Sequence, residues 1–152
     1  MDKRVKSTFC FEGYKVDSIK FDINSDFNAS EVELKFGINV TIKTHPECYE
    51  GLVILHVKLF ENAIEKNYPF ELHVTITGEF SADDKNMSLE DFRNCLELNG
   101  TTAMFPFLRS VVADITRSAN VEPLILPLMN IHKLIAERKA KAGNMEKSEC
   151  GS

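Results

Sequence analysis

Six apolar residues, Val32, Leu34, Phe36, Ile38, Val40 and Ile42, alternate without a break with Glu33, Lys35, Gly37, Asn39 and Thr41. Strict alternation sends every second side chain to one side, the pattern of a strand with one buried face and not of a helix with its 3.6-residue period. The pattern returns as Val53, Leu55, Val57 and Leu59 after the turn-like His45-Pro46-Glu47-Cys48, and as Phe70, Leu72, Val74 and Ile76 after Glu65-Lys66-Asn67-Tyr68-Pro69. A weaker alternation, Val16, Ile19, Phe21 and Ile23, precedes all three. Parallel neighbours need crossover connections of about a dozen residues or more, so connections this short predict an antiparallel meander of four strands. The opposite phase, Thr41, Lys43, His56, Lys58, Glu71, His73 and Thr75, is polar and predicts a wet second face.

Helical periodicity takes over near residue 88. Ser88 followed by Asp91 resembles a capping box, and Leu89, Phe92 and Leu96 would share one face of the helix it starts. A second helix is predicted from about Phe105, with Pro106 in its first turn, to about Arg117. Its stripe of Phe105, Leu108, Val112 and Ile115 is widened by Val111 beyond what one sheet needs, which predicts packing on copies of itself. An extended, proline-bounded apolar arm, Pro123-Leu124-Ile125-Leu126-Pro127-Leu128-Met129, leads to a third helix over Asn130–Lys141. That helix ends in Arg138, Lys139 and Lys141, as a helix C-terminus prefers, and Gly143 ends the pattern. Strands first and helices after give an α+β fold: a four-stranded antiparallel sheet followed by helices packed on one face. Residues 1–142 are read as one domain and 143–152 as a disordered C-terminal tail.

Chemistry is harder to find. The four cysteines, Cys10, Cys48, Cys95 and Cys150, lie far apart, which argues against a zinc site or a disulfide framework. His56 and His73 fall on the polar phase of neighbouring strands, but neither they nor His45 and His132 have metal-ligand spacing. Asp83-Asp84 reads as a solvated turn, and Arg109 as a structural donor to backbone or carboxylate acceptors. No nucleophile elbow, P-loop or dinucleotide fingerprint is present, so no catalytic residue, no metal and no cofactor is expected. A net charge of −5 argues against nucleic acid as a partner. The charged start Met1-Asp2-Lys3-Arg4 and the lack of a long apolar run predict a cytoplasmic protein with no membrane insertion.

What stands out instead is apolar. Phe70 at a strand start, Phe105 and Phe107 at a helix start, and Leu124-Ile125-Leu126 in the arm all lie at element ends beside prolines, where one small domain buries side chains least completely. They predict an exposed apolar groove.

At Met104-Phe105-Pro106-Phe107-Leu108-Arg109 the chain resembles the SecB export chaperones, whose corresponding motif is Leu-Phe-Pro-Tyr-Ala-Arg. Pro123 through Asn130-Ile131 is similar to that family's proline-rich linker, and Phe70 with Gly78-Glu79-Phe80 to its fourth strand. The likeness spans roughly Val16 to Ile135. It implies an ATP-independent holdase, a homotetramer built as a dimer of dimers, and unfolded polypeptide clients, either preproteins or an antitoxin. It also implies a client groove between the sheet and the linker-helix segment, carried here by Phe70, Phe105, Phe107, Leu124, Leu126, Ile131 and Ile135. An edge strand that adds backbone hydrogen bonds to an extended client fits that mode. The family's contact surface for the SecA motor falls on Ser18, Asp22, Glu71 and His73. Only two of those four are acidic, and Ser118-Ala119 replaces the glycines that follow the family's long helix. A divergent member with a weakened SecA face fits the members dedicated to antitoxins at least as well as general export. The reading from another class is a small enzyme or small-molecule binder using the same cleft, which would need a convergent polar cluster.

Overall fold

The computed structural model describes residues 9–83 and 87–150, with side chains described as far as Ala140. Strand β1 covers Phe9–Ile23, β2 Phe36–Thr44, β3 Glu50–Leu59 and β4 Phe70–Ala82, and they form one antiparallel sheet in the order β1-β4-β3-β2. Strands β2, β3 and β4 form a meander as read from the alternation, but the four-strand meander stops there: β1 pairs with β4 and not with β2, so the β1–β2 connection crosses the sheet. Strand β1 starts earlier than Val16, and the register shift between Val16 and Ser18 inserts Asp17 as an extra residue. Val16 and Ile19, three apart, therefore both face the core side, which is why the alternation there reads as weak. Strand β2 begins at Phe36, later than the alternation suggests. The Phe60 N–H donates to Lys35 O at 2.9 Å, and before that point the chain leaves the sheet, so Val32 and Leu34 lie in a loop.

The β3–β4 connection carries a short helix, α1 (Ala63–Lys66), bounded by residues of positive φ: Asn62 at 61° and Asn67 at 56°. Phe60 also sits at a φ of 53°, a left-handed conformation uncommon for an aromatic residue. Buried Asn24 holds this connection to the end of β1, its side-chain amide donating to Tyr68 O at 2.9 Å and Ala63 O at 3.2 Å.

The helical layer is one bent rod rather than two separate helices. Helix α2 (Leu89–Cys95), capped by Ser88 Oγ accepting from Asp91 N, runs through a π-helical turn (Leu96–Gly100) into α3 (Thr101–Ser118). Pro106 therefore lies inside α3, not in a first turn. Gly100 lets the rod approach β3, since a Cβ there would stand 2.8 Å from Val53 Cγ2. At the far end Asn120, at a φ of 61°, takes the left-handed C-cap position that glycine usually fills, so Ser118-Ala119 needs no glycine beside it. Helix α4 spans Ile131–Cys150. It passes through Gly143, where the sequence predicts an end and a disordered tail. One helical glycine costs only about 1 kcal/mol, and Ala142, Met145, Glu146 and Lys147 around it favour helix.

The core lies between β3, β4 and α3: Val53, Leu55, Val57, Leu59, Leu72, Val74 and Ile76 are fully buried against Met104, Leu108 and Val112. Leu126 of the arm joins this core at 0% exposure, held there by the Arg109 Nε donor on its carbonyl at 2.8 Å. Arg109 thus has the structural task read for it from the sequence. Thr116 Oγ1, itself buried, accepts from Leu124 N at 2.9 Å and fastens the other end. Because Leu126 fills core volume, Leu126→Ala should cost about 2–5 kcal/mol of stability in a denaturant titration, whereas Ile125→Ala on the outward side of the arm should cost well under 1 kcal/mol.

Candidate functional site

The helices cover β3 and β4 but not the sheet's two edges. On β1 the core-side residues Val16, Ile19 and Ile23 are 41–51% exposed. On the other side, arm and α4 pass beside β2 and leave two cavities. The first, about 530 Å³, is lined by Phe27, Val32, Phe60, Phe70, Val121 and Leu124 among others. The second, about 680 Å³, runs along the start of β2 and is lined by Phe36, Ile38, Tyr68, Met129 and Leu134, with Lys35, Lys58, Glu61, Lys66 and Glu137 at its polar margin. Val32 and Phe60 of the first are near neighbours in the chain of Lys35, Phe36 and Glu61 of the second, so the two lie end to end as a trough, mainly apolar at the first cavity and mixed at the second, beside the arm and α4.

The trough has an open backbone. In an antiparallel strand each residue sends its N–H and C=O to the same side, and successive residues alternate. Lys35 O and His45 N pair toward β3, so the odd-numbered residues between them face β3, and Phe36, Ile38, Val40 and Ile42 face outward. Among the described residues only one hydrogen bond is made on that outward side, from Arg138 Nε to Val40 O at 2.9 Å. Their side chains point to the core face, where Val40 is buried and Phe36, Ile38 and Ile42 are half-buried.

The seven groove residues taken from the resemblance divide. Phe70 and Leu124 line the first cavity; Phe70 is 4% exposed, stacks on Phe21 at 5.3 Å and meets Phe60 edge-on at 5.2 Å. Phe105, Leu126 and Ile135 are buried in the core, so they support the trough from beneath and do not line it. Ile131 packs half-buried against the core from the start of α4. Phe107 faces elsewhere, its ring 4.6 Å from Tyr14 and 5.4 Å from Phe11 on β1. Sequence reading missed Phe27, Val32, Phe60, Tyr68, Met129 and Leu134. Phe60 carried the best signal, an aromatic residue directly after the strict alternation of β3 ends.

The opposite face of the sheet is polar as predicted. Ser18 pairs with Thr75, Lys20 with His73 and Asp22 with Glu71, so the four residues equated with a motor-binding surface do adjoin. Lys58 pairs with His73 from β3, placing a cation on each side of that histidine. The His56 and His73 rings are 5.9 Å apart, and His56 Nδ1 bonds Thr75 Oγ1 at 2.6 Å. His73 Nε2 lies 3.3 Å from Glu71 Oε2, close enough for an ion pair but too poorly aligned for a hydrogen bond. Among the described residues no group of three or more His, Cys, Asp or Glu side chains could hold a metal, and no helix is long and apolar enough to cross a membrane.

The sequence model of the SecB family, preprotein translocase subunit SecB, matches residues 17–142. The chain belongs to the SecB family. An uncharacterized protein of Methanocaldococcus jannaschii is 28% identical, over 98% of this chain and 97% of that protein. The protein-export protein SecB of Anaplasma phagocytophilum is 28% identical, over 83% of this chain and 78% of its own length. Among solved structures, a SecB-like chaperone of Mycobacterium tuberculosis in complex with a peptide from the HigA1 antitoxin superposes with a TM-score of 0.64 at 13% identity, covering 81% of this chain and 91% of that one. The α+β architecture is thus the one this family uses, and the family is one of chaperones in protein export, not of enzymes.

The polar face sets a pH dependence. Burial first, then His73 and Lys58, lower the His56 pKa below its ordinary value of 6.5. Burial acts to raise the Glu71 pKa, but the Asn62 N–H donor and His73 outweigh it and the net shift is downward. For both groups the unfolded chain takes up the proton at higher pH than the folded one, so stability falls with falling pH: through the ordinary histidine range for His56, then below 4.5 for Glu71. The melting temperature should therefore drop between about pH 7.5 and about pH 5.5, and His56→Gln should flatten that drop. An unaltered slope in the variant would clear His56 of the effect.

Proposed function

We propose that the protein is an ATP-independent holdase that binds extended apolar segments of unfolded polypeptides in the trough between β2 and the arm with α4. The single observation that carries this reading is the unpaired β2 edge bordered by a cavity of mixed polarity, with a mainly apolar cavity beside its start. Outward N–H and C=O groups of Phe36, Ile38 and Ile42 offer sequence-independent hydrogen bonds, while the cavities take alternate apolar side chains. A small-molecule site would be more enclosed and carry convergent polar groups. The clients are preproteins awaiting export, in keeping with the family and its protein-export relatives.

A second client class, an antitoxin, is favoured by the outer face. A motor-binding role for Ser18, Asp22, Glu71 and His73 would place SecA on a surface whose centre is the row Lys20-His73-Lys58. A basic partner meets repulsion there, which suits a chaperone devoted to one client better than one that hands clients to SecA. The protein is cytoplasmic in either case. It assembles as a homotetramer, a dimer of dimers, and the exposed apolar row of β1 with Ile19 and Ile23 each 51% exposed supports self-association.

Three measurements test this. Light scattering across micromolar dilution should give about four times 17.2 kDa, and a concentration-independent monomer would overturn the assembly. Protection of an unfolded protein from aggregation should persist with chelator present and ATP absent. Leu124→Ser and Val32→Ser should each weaken binding of a single apolar peptide roughly three- to tenfold with little change in melting temperature, part of the 1.5–3 kcal/mol that full burial of one client side chain is worth. Unchanged affinity in both would remove the first cavity from the client site.

A further inference from the structure

Among the described residues, the one occupied group on the open edge of β2 is occupied by a charged side chain from the helix that borders the trough. Arg138 Nε donates to Val40 O at 2.9 Å, and its Nη1 reaches Glu97 Oε2 at 3.0 Å. Lys139 Nζ meets the other oxygen of the same carboxylate, Oε1, at 3.0 Å. Glu97 thus takes two cations from α4, and it does so from the π-helical turn that joins α2 to α3. Its side chain is mostly buried, whereas Lys139 is exposed, so Glu97 is the fixed end and α4 the end that can leave. Π-helical turns recur where a side chain must be aimed out of regular helix phase, and this one aims Glu97 at α4.

We infer that Arg138 is a plug on the client edge, held in place by Glu97, and that an extended client displaces it. The inference rests on the reading of the β2 edge as the client site and adds how that site is kept closed. A strand pairing with β2 must donate an N–H to each outward carbonyl, Val40 O included. The guanidinium standing on that oxygen occupies the line along which the incoming backbone would run. Left without a plug, the edge from Phe36 to Ile42 is long enough to template pairing between copies of the chain, the hazard that natural sheets block with inward-reaching charged residues. A plug made of one hydrogen bond and two ion pairs blocks casual pairing, yet several backbone bonds plus apolar side chains in the trough outbid it.

The test uses the full chain and a peptide of about ten residues with alternating leucines, compared with the same peptide N-methylated at every second amide in either phase. Arg138→Met keeps the apolar stem and removes the donors. It should tighten binding of the unmodified peptide about three- to tenfold, the net worth of an ordinary hydrogen bond. That gain should vanish for one phase of N-methylation and survive for the other, a pattern that a general loosening of α4 would not produce. Glu97→Gln should shift affinity the same way by less, and it decides the matter if Arg138→Met does not fold. Equal or weaker binding by both variants, or a gain indifferent to the methylation phase, overturns the plug. Wild-type binding with no gain in the variants removes the plug alone, whereas no peptide binding by wild type or variants removes the client site as well.

Discussion

Much of this structure depends on the fastening of the arm to α3. An extended segment has no hydrogen bonds of its own, so it stays in one place only if other elements satisfy its backbone. Arg109 supplies a donor to Leu126 O and Thr116 an acceptor for Leu124 N, 17 and 8 residues away in the chain respectively. Between those two points Leu126 is drawn fully into the core, and alternation then turns Ile125 outward. The same fixing puts Leu124 at the wall of the first cavity and delivers Met129 and the start of α4 to the second. Without it there is no trough, only a sheet with a bare edge. The arginine that closes the Met104–Arg109 motif thus has a purpose tied to the groove while touching no part of it.

A second consequence follows from the width of the helical layer. One bent rod lies over β3 and β4, and a single rod about 10 Å wide cannot cover four strands spaced about 4.8 Å apart. Both outer strands are left partly bare, but differently. Strand β1 exposes side chains, Val16, Ile19 and Ile23, while its register shifts make its edge irregular. Strand β2 keeps a regular register along its whole length and exposes backbone, while Val40 is buried and its neighbours on that phase are half-buried. Bare apolar side chains on a stepped edge suit a face that packs on another folded surface. A regular open edge beside a cavity with both apolar and charged lining suits an extended chain.

The sheet was legible because its evidence is local: Val53 to Leu59 and Phe70 to Ile76 alternate without error, and each buried position stands in the sequence as an aliphatic or aromatic residue. Errors arose where a neighbour overrode the local pattern. Val32 and Leu34 continue the alternation of β2, but pairing stops at Lys35 because Phe60 has turned into a left-handed conformation there. Pro106 looks like a helix start, yet the preceding π-helical turn had already set the helix going at Thr101. The groove was half legible. Leu124 could be placed by its neighbouring prolines, whereas Leu126, two residues on and chemically identical, is core because Arg109 holds its carbonyl. No spacing rule carries that distinction. Phe27, Val32 and Met129 come together only through the tertiary fold.

The outer face separates what the family shares from what this chain does with it. Asp22 and Glu71 sit directly opposite one another, a like-charge pair that is unfavourable unless something stands between or above them. Glu71 is already committed to Asn62 N–H and to His73. Two residues further along on the same face, Lys20, His73 and Lys58 form a row of two cations around an imidazole ring. Acidic and basic rows lie a single side-chain step apart, so a partner bearing one sign of charge cannot gain from both. A docking partner that fits must present cations over Asp22 and Glu71 and stop short of, or reverse its charge at, His73.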